Sequence, residues 1–326
     1  MVTYPLVRGR VLSCALQAGL ITVVMTACGG STEPVPVGGR PAGSAIVNAV
    51  EGGRPFAVAV SGTGVVYIGE QDSARLGRYD LPATTLDNSV AVGNDPTDIA
   101  FLPNGSKAFV TNQASNTVSV IDVATNSQTA TIPIGEPVLR VMSAPDGSKV
   151  YVTTAMGHLV IVNTSDNTSS SIALGGSLNG LALSPSKSML YASSTTGVLY
   201  AVDVGTNSNV DSVTFNGRPQ ELVVSLDGSK LFVANEVGAL AVLDASTLAN
   251  LATVPAVTGS FGMALTKDGT QLYVTEPNAG NVLVLDAKTY AVIRTISGGI
   301  PRRVKFDQSG LTGVITNEAG YVSFVR

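Results

Sequence analysis

Nearly the same phrase returns along this chain about every 41 residues. It reads "KAFVTNQASNTVSVIDVATNSQTATIPIG" over residues 107–135, then "KVYVTT…HLVIVNTSDNTSSSIALGG", "KLFVANEVGALAVLDASTLANLATV" and "QLYVTEPNAGNVLVLDAKTYAVIRTISGG". Each copy holds two short alternating apolar runs, a turn cluster and a third run. The acid or amide closing the middle run keeps time: Asp80, Asp122, Asn163, Asp203, Asp244 and Asp286, spaced 42, 41, 40, 41 and 42 residues apart. A turn glycine keeps the same period at Gly64, Gly105, Gly147, Gly228, Gly269 and Gly310, with Ser186-Lys187 in the missing slot. Runs of period two are half-buried strands, and one such unit cannot bury its own face. Four short strands repeated near this period are the blades of a β-propeller.

In these terms residues 97–102 form an innermost strand closed by the turn "PNGS", and "KAFVTN", "TVSVID" and "QTATIPI" follow as the second, third and outer strands. Asn and Gly supply the left-handed backbone of the short turns. Inner strands starting near Phe56, Thr97, Leu139, Asn179, Gln220, Phe261 and Arg302 make seven blades. The seventh lacks an outer strand, because the chain stops at Arg326 after "YVSFV". Residues 45–50 match the phrase that ends other blades and are expected to close the seventh. The fold class is therefore all-β, a seven-bladed β-propeller with an N-terminal strand closing the last blade. The composition agrees, with 44% apolar residues, 35 glycines and abundant Val, Thr and Ile.

The second strands carry "FVTN" (109–112), "YVTT" (151–154), "FVAN" (232–235), "YVTE" (273–276) and "VITN" (314–317), with turns "PDGSK" (145–149) and "LDGSK" (226–230). Over residues 45–326 this resembles the YVTN-type, YncE-like β-propeller repeats of secreted bacterial and archaeal surface proteins. The resemblance implies the fold. It leaves function open among lactonases, binding proteins and cell-surface scaffolds.

The first residues read as an address. Arg8 and Arg10 precede the apolar run "VLSCALQAGLITVVM", which is short for a membrane span. Met25-Thr26-Ala27-Cys28 then resembles a bacterial lipobox, which implies that Cys28 becomes a lipidated first residue. The organisation expected is a lipoprotein signal peptide over 1–27, a flexible Gly/Pro-rich tether over 28–43 and the propeller over 44–326. Cys14 leaves with the signal, so the exported body has no free thiol and no disulfide. It keeps 17 basic against 23 acidic residues, a charge of −6. Gly29 lacks the Asp that retains the lipoproteins it resembles at the inner membrane, which implies an outer-membrane anchor. The body is expected to be a monomer held to the membrane by lipid alone.

Reading the inner strands backwards from their turns gives one inward position per blade: Ala57, Asp98, Arg140, Gly180, Glu221, Gly262 and Arg303. Two residues further in stand Ala59, Ala100, Met142, Ala182, Val223, Ala264 and Lys305. A mixed-charge ring at the channel mouth should thus cap a mostly apolar throat. Arg302 flanks it on an inter-blade loop, and His158 leads into a third strand. Asp98, Arg140, Glu221, Arg302, Arg303 and His158 are the candidate ligand-binding residues. Forked Arg donors suit a small anionic or sugar ligand, and an Asp98–Arg140 ion pair between neighbouring blades is the bland alternative. Lys305 is expected to reach toward the channel or to pair with Asp307.

Catalytic patterns are scarce. One histidine without cysteine partners builds no His/Cys metal site, so no metal and no cofactor is expected. There is no G-x-S-x-G, P-loop or dinucleotide glycine pattern. An acidic chain of pI about 5.0 is poorly suited to nucleic acid. The reading is a non-enzymatic envelope binding protein whose partner is an envelope protein or small ligand. The alternative is a lactonase-like hydrolase using Glu221, Arg140 and His158 on the rim.

Overall fold

The structure is a computed structural model that describes residues 46–50 and 52–326. The signal segment, Cys28, the tether and residues 44–45 lie outside the described residues. Seven four-stranded antiparallel sheets follow one another around a ring. The inner strands are Pro55–Val60, Pro96–Phe101, Val138–Ser143, Leu178–Leu183, Pro219–Val224, Met263–Leu265 and Pro301–Phe306, which define blades 1 to 7. Among the described residues no helix is long and apolar enough to cross a membrane.

Blade 7 is made from both ends of the chain. Strand Ile46–Val50 pairs with the third strand, Tyr321–Val325, in the register Ile46↔Val325 to Val50↔Tyr321. Ser323 Oγ donates to Asn48 Oδ1 at 2.7 Å across this ladder. The expected closing strand is therefore present over Ile46–Val50.

The repeat residues have separate structural tasks. In blades 2, 4, 5 and 6 the acid that ends the third strand caps the turn that follows. Asp122 Oδ1 accepts from Thr125 N at 2.8 Å, Asp203 from Thr206 N and Asp286 from Thr289 N, both at 2.7 Å. These turns close through left-handed residues such as Asn126, Asn167 and Asn207, which amides tolerate at low cost. Lys187, in the slot of the missing glycine, takes the glycine conformation at φ 65°.

The third position of the second-strand motif stitches the blades together. Thr153 Oγ1 accepts from Arg140 N, Ser193 Oγ from Gly180 N, Thr275 Oγ1 from Gly262 N and Thr316 Oγ1 from Arg303 N. Each of these hydroxyls then donates to a carbonyl on the next blade: Asn179, Gln220, Arg302 and Phe56. Thr111 does the same toward Leu139. One hydroxyl thus satisfies an inner-strand donor and a neighbour's acceptor that would otherwise be buried unpaired. At the closing seam between blades 7 and 1, Thr316→Val should keep the shape and strand both partners. A loss of about 1–2 kcal/mol follows, read as a lower urea midpoint at unchanged slope.

The first motif position packs between blades. Tyr67, Phe109, Tyr151 and Tyr273 are fully or almost fully buried. Tyr67 stacks on Phe101 at 5.3 Å, and its hydroxyl donates to Asn126 on the next blade. The motif's asparagines are likewise structural. Asn235 Oδ1 accepts from Arg218 N and Val237 N, and Asn317 Oδ1 from Ile300 N and Ala319 N. Each ties an inter-blade connection to the adjacent hairpin.

Candidate functional site

The inner strands do not alternate cleanly where they begin. Their pairing with the second strands slips at Pro55/Ala57, Pro96/Asp98, Val138/Arg140 and Pro301/Val304, among others. A bulge lets two successive residues serve the same side of a sheet. The predicted inward ring is therefore doubled.

The outer layer, at the inter-blade rim, carries Phe56, Asn179, Gln220, Phe261 and Arg302. Phe56 and Phe261 meet edge to face at 5.7 Å. The Arg303 guanidinium lies 5.2 and 4.7 Å from their ring centres, and that of Arg302 lies 5.8 and 4.8 Å from them. Cations over aromatic faces are held by the ring quadrupole. Arg302 also pairs with Glu318 at 2.9 Å. Asn179 Nδ2 donates to Gln220 Oε1. Arg302 is thus bound into a rim plug of aromatic and amide groups.

Beneath this plug lies the charge cluster, and it is buried rather than set at an open mouth. Arg140 and Arg303 are each 3% exposed and Glu221 is 8% exposed. Glu221 of blade 5 is the hub. Arg303 Nη1 donates to its Oε2 at 2.5 Å, and Lys305 Nζ to its Oε1 at 2.9 Å. Arg140 Nη2 stands 3.1 Å from Oε2 but off the hydrogen-bond direction, so that contact is coulombic. Arg140 is oriented by its Nε, which donates to Asn179 O at 3.2 Å. Blades 4 and 6, on either side of Glu221, present Gly180 and Gly262. A Cβ at either would collide with the next blade's backbone, at Gln220 O and Arg302 O. The cations therefore come from blades 3 and 7.

The Asp98–Arg140 alternative is not formed, and of the two readings of Lys305 the channel-facing one holds. Asp98 and Arg140 form no ion pair within 4.0 Å; Asp98 Oδ2 instead accepts from Val141 N at 3.1 Å. Arg140 turns to Glu221, the acid with more cationic neighbours. Lys305 pairs with Glu221 rather than Asp307, since it faces the channel while Asp307 bonds within its own turn. His158 does not join Glu221 and Arg140. Its Nδ1 is 2.8 Å from Glu136 Oε1 on the adjacent inter-blade loop.

The electrostatics follow from this geometry. Burial pushes the Glu221 carboxyl up, but Lys305 and Arg140 outweigh it and hold the group below its ordinary range. Burial likewise works against the Lys305 charge, yet Glu221 and Asp98 keep its ammonium firmly protonated. Asp98 has no such partner. Burial and the nearby Glu221 raise it to about 6, although Arg140 and Lys305 pull the other way.

On the far side of the cluster a cavity of about 270 Å³ runs to the ends of the inner strands. Asp98, Arg140, Glu221 and Lys305 form its charged end, and Ala59, Ala100, Phe101, Met142, Leu181 and Phe306 are among its walls. Lys305, Met142 and Phe306 are half-buried. The throat thus opens toward the hairpins between first and second strands, not toward the inter-blade rim. Register alone gave the charged positions, but not their pairing or the open end. Phe56 went unrecognised because strict alternation places it away from the channel. Among the described residues no group of three or more His, Cys, Asp or Glu is arranged to hold a metal ion.

No family model matches the sequence, and no curated protein matches it. Solved structures do. Hydrazine synthase of Kuenenia stuttgartiensis aligns with a TM-score of 0.78 at 18% identity, over 85% of this chain and 96% of that one. The β-propeller domain of Myceliophteria thermophila Cps50 (Swd1) aligns with a TM-score of 0.74 at 12% identity, over 86% and 98%. At such identities the likeness is one of architecture, and it agrees with the ring described above: the chain is a seven-bladed β-propeller.

Proposed function

We propose that this is a membrane-tethered, non-enzymatic binding protein that takes a small ligand in its propeller throat. The single observation that carries this reading is the state of Glu221. A general base needs a carboxylate poised near the working pH. Glu221 is clamped by three cations and held in the opposite direction. His158, the other partner in the hydrolase alternative, is engaged by Glu136. What the throat offers is fixed charge at the end of an apolar recess, which is the make-up of a binding pocket.

The tether suits this role. In blade 7 one row of paired residues runs Phe306, Gly313, Val325, Ile46, so the chain enters the propeller at the end where the throat opens. The lipobox-like Met25–Cys28 supports anchoring through a lipid on Cys28, and Gly29 supports the outer membrane.

Two measurements test the proposal. Cys28→Ala should abolish incorporation of labelled palmitate and move the protein from the membrane to the soluble fraction. A thermal-shift panel of lactones, sugar acids, carboxylates, phosphates and peptidoglycan fragments on the full-length chain should give stabilisation that Lys305→Met removes. A ligand at about 100 times its Kd adds about 2.7 kcal/mol. Turnover of a lactone, lost in Glu221→Gln, would replace this reading with the hydrolase.

A further inference from the structure

The throat carries a charge imbalance that the fold does not neutralise. Arg140, Arg303 and Lys305 supply three positive charges, and Glu221 and Asp98 two negative ones, a surplus of one. The two arginines are buried, and Arg303 Nε and Arg140 Nη2 have no hydrogen-bond partner. Excess charge on buried groups is costly unless a counter-charge joins it. Lys305 is the member of the cluster that can meet one. Its side chain is 37% exposed, it lines the cavity, and Glu221 Oε1 takes one of the three donors of its ammonium.

The rest of the recess narrows the chemistry. Apart from the Ser143 hydroxyl, the walls between the charged end and the opening, Ala59, Ala100, Met142, Leu181 and Phe306 among them, offer no hydrogen bonds from their side chains. A sugar would leave hydroxyls unpaired against them. A phosphate would bring a second negative charge toward Asp98 and Glu221. A zwitterion would leave the surplus in place and add an ammonium beside three cations. The volume is slightly below the range of about 300–1,000 Å³ usual for drug-sized ligands.

We propose, building on the throat-binding reading above, that the cavity binds a small apolar monocarboxylate, with its carboxylate on Lys305 Nζ and its hydrocarbon end against Met142, Leu181 and Phe306.

Asp98 then acts as a proton partner. The charged groups facing it are Arg140, Glu221 and Lys305. A ligand carboxylate adds to the effect of Glu221, raises Asp98 further and makes binding take up a proton. Affinity should therefore increase as the pH falls from about 8 to about 6, while the ligand itself stays ionised.

The test is calorimetric titration of the full-length chain with three molecules of one skeleton: 4-methylpentanoate, leucine and 3-methylbutylamine. The expected result is binding of 4-methylpentanoate at least about tenfold tighter than leucine, the scale of one charge-assisted hydrogen bond, and none of the amine. Lys305→Met, with its fold checked by circular dichroism, should lose at least that factor. Asp98→Asn should bind without the pH dependence. Leucine or the amine binding as well as the acid would overturn the proposal, as would undiminished binding to Lys305→Met. Stabilisation by a sugar acid or phosphate that Lys305→Met removes, with no response to 4-methylpentanoate, would sink the monocarboxylate and leave the throat-binding reading standing. Silence across the whole panel would remove both.

Discussion

Deleting residues 44–50 should strongly destabilise the whole propeller, although these residues resemble a tail. The deletion removes five ladder pairs from blade 7 and uncovers a third strand whose Val322 and Phe324 are fully buried. At about 0.5–1.5 kcal/mol for each lost hydrogen bond, plus newly exposed apolar surface, the loss is about 3–5 kcal/mol or more. That is a large part of the ~5–15 kcal/mol that holds a typical domain together. The bared strand is also a template for pairing with other chains, so association should accompany the loss. Urea unfolding of the shortened chain should show a sharply lower midpoint, and a synthetic peptide of residues 44–51 added in trans should restore much of it by strand addition. An unchanged midpoint would show that the ring holds without its borrowed strand.

Replacing the hub acid is the second large effect. Glu221→Gln keeps the volume and one acceptor but leaves Arg140, Arg303 and Lys305 with Asp98 as their one remaining counter-charge in the throat. Breaking a buried ion pair on one side costs about 3–5 kcal/mol, because the stranded charge remains desolvated. Removing one cation as well, as in Glu221→Gln with Arg303→Met, should recover part of that loss, a coupling of about 0.5–3 kcal/mol in a double-mutant cycle. The pH dependence has a definite sign. The folded-state carboxyl sits below its ordinary range, so its contribution is present above the unfolded pKa and is lost as the pH falls through the folded one. The gap between wild type and Glu221→Gln should be widest near neutrality and close in acid. Equal urea midpoints at neutral pH would mean that the cluster does not stabilise the ring.

The architecture was readable because its signals are local and periodic. The capping acids at Asp122, Asp203, Asp244 and Asp286 and the turn glycines of six blades fall on one period, so their spacing gives the number of blades. The site was readable only in part. Strand register placed Asp98, Arg140, Glu221 and Arg303 on the channel side. The choice of partner was hidden, because Glu221 meets Arg303 across 82 positions of sequence, a distance with no periodic mark. The bulges hid Phe56. Two successive residues share one side there, and nothing local distinguishes that from ordinary alternation. The small residues at Gly180 and Gly262 were visible, but their function appears only when the neighbouring backbone is placed beside them.

The closing ladder of blade 7 also sets how the molecule responds to force. Ile46 lies opposite Val325, next to Arg326. A pull between a surface holding the N-terminal segment and a partner gripping Arg326 would load this pair first, then Val47 and Phe324, then each pair in turn. The strands would unzip one rung at a time rather than shear together. The same closure that resists urea as a unit should therefore yield to a weak, directional load, opening the ring from its seventh blade while the other six sheets stay intact.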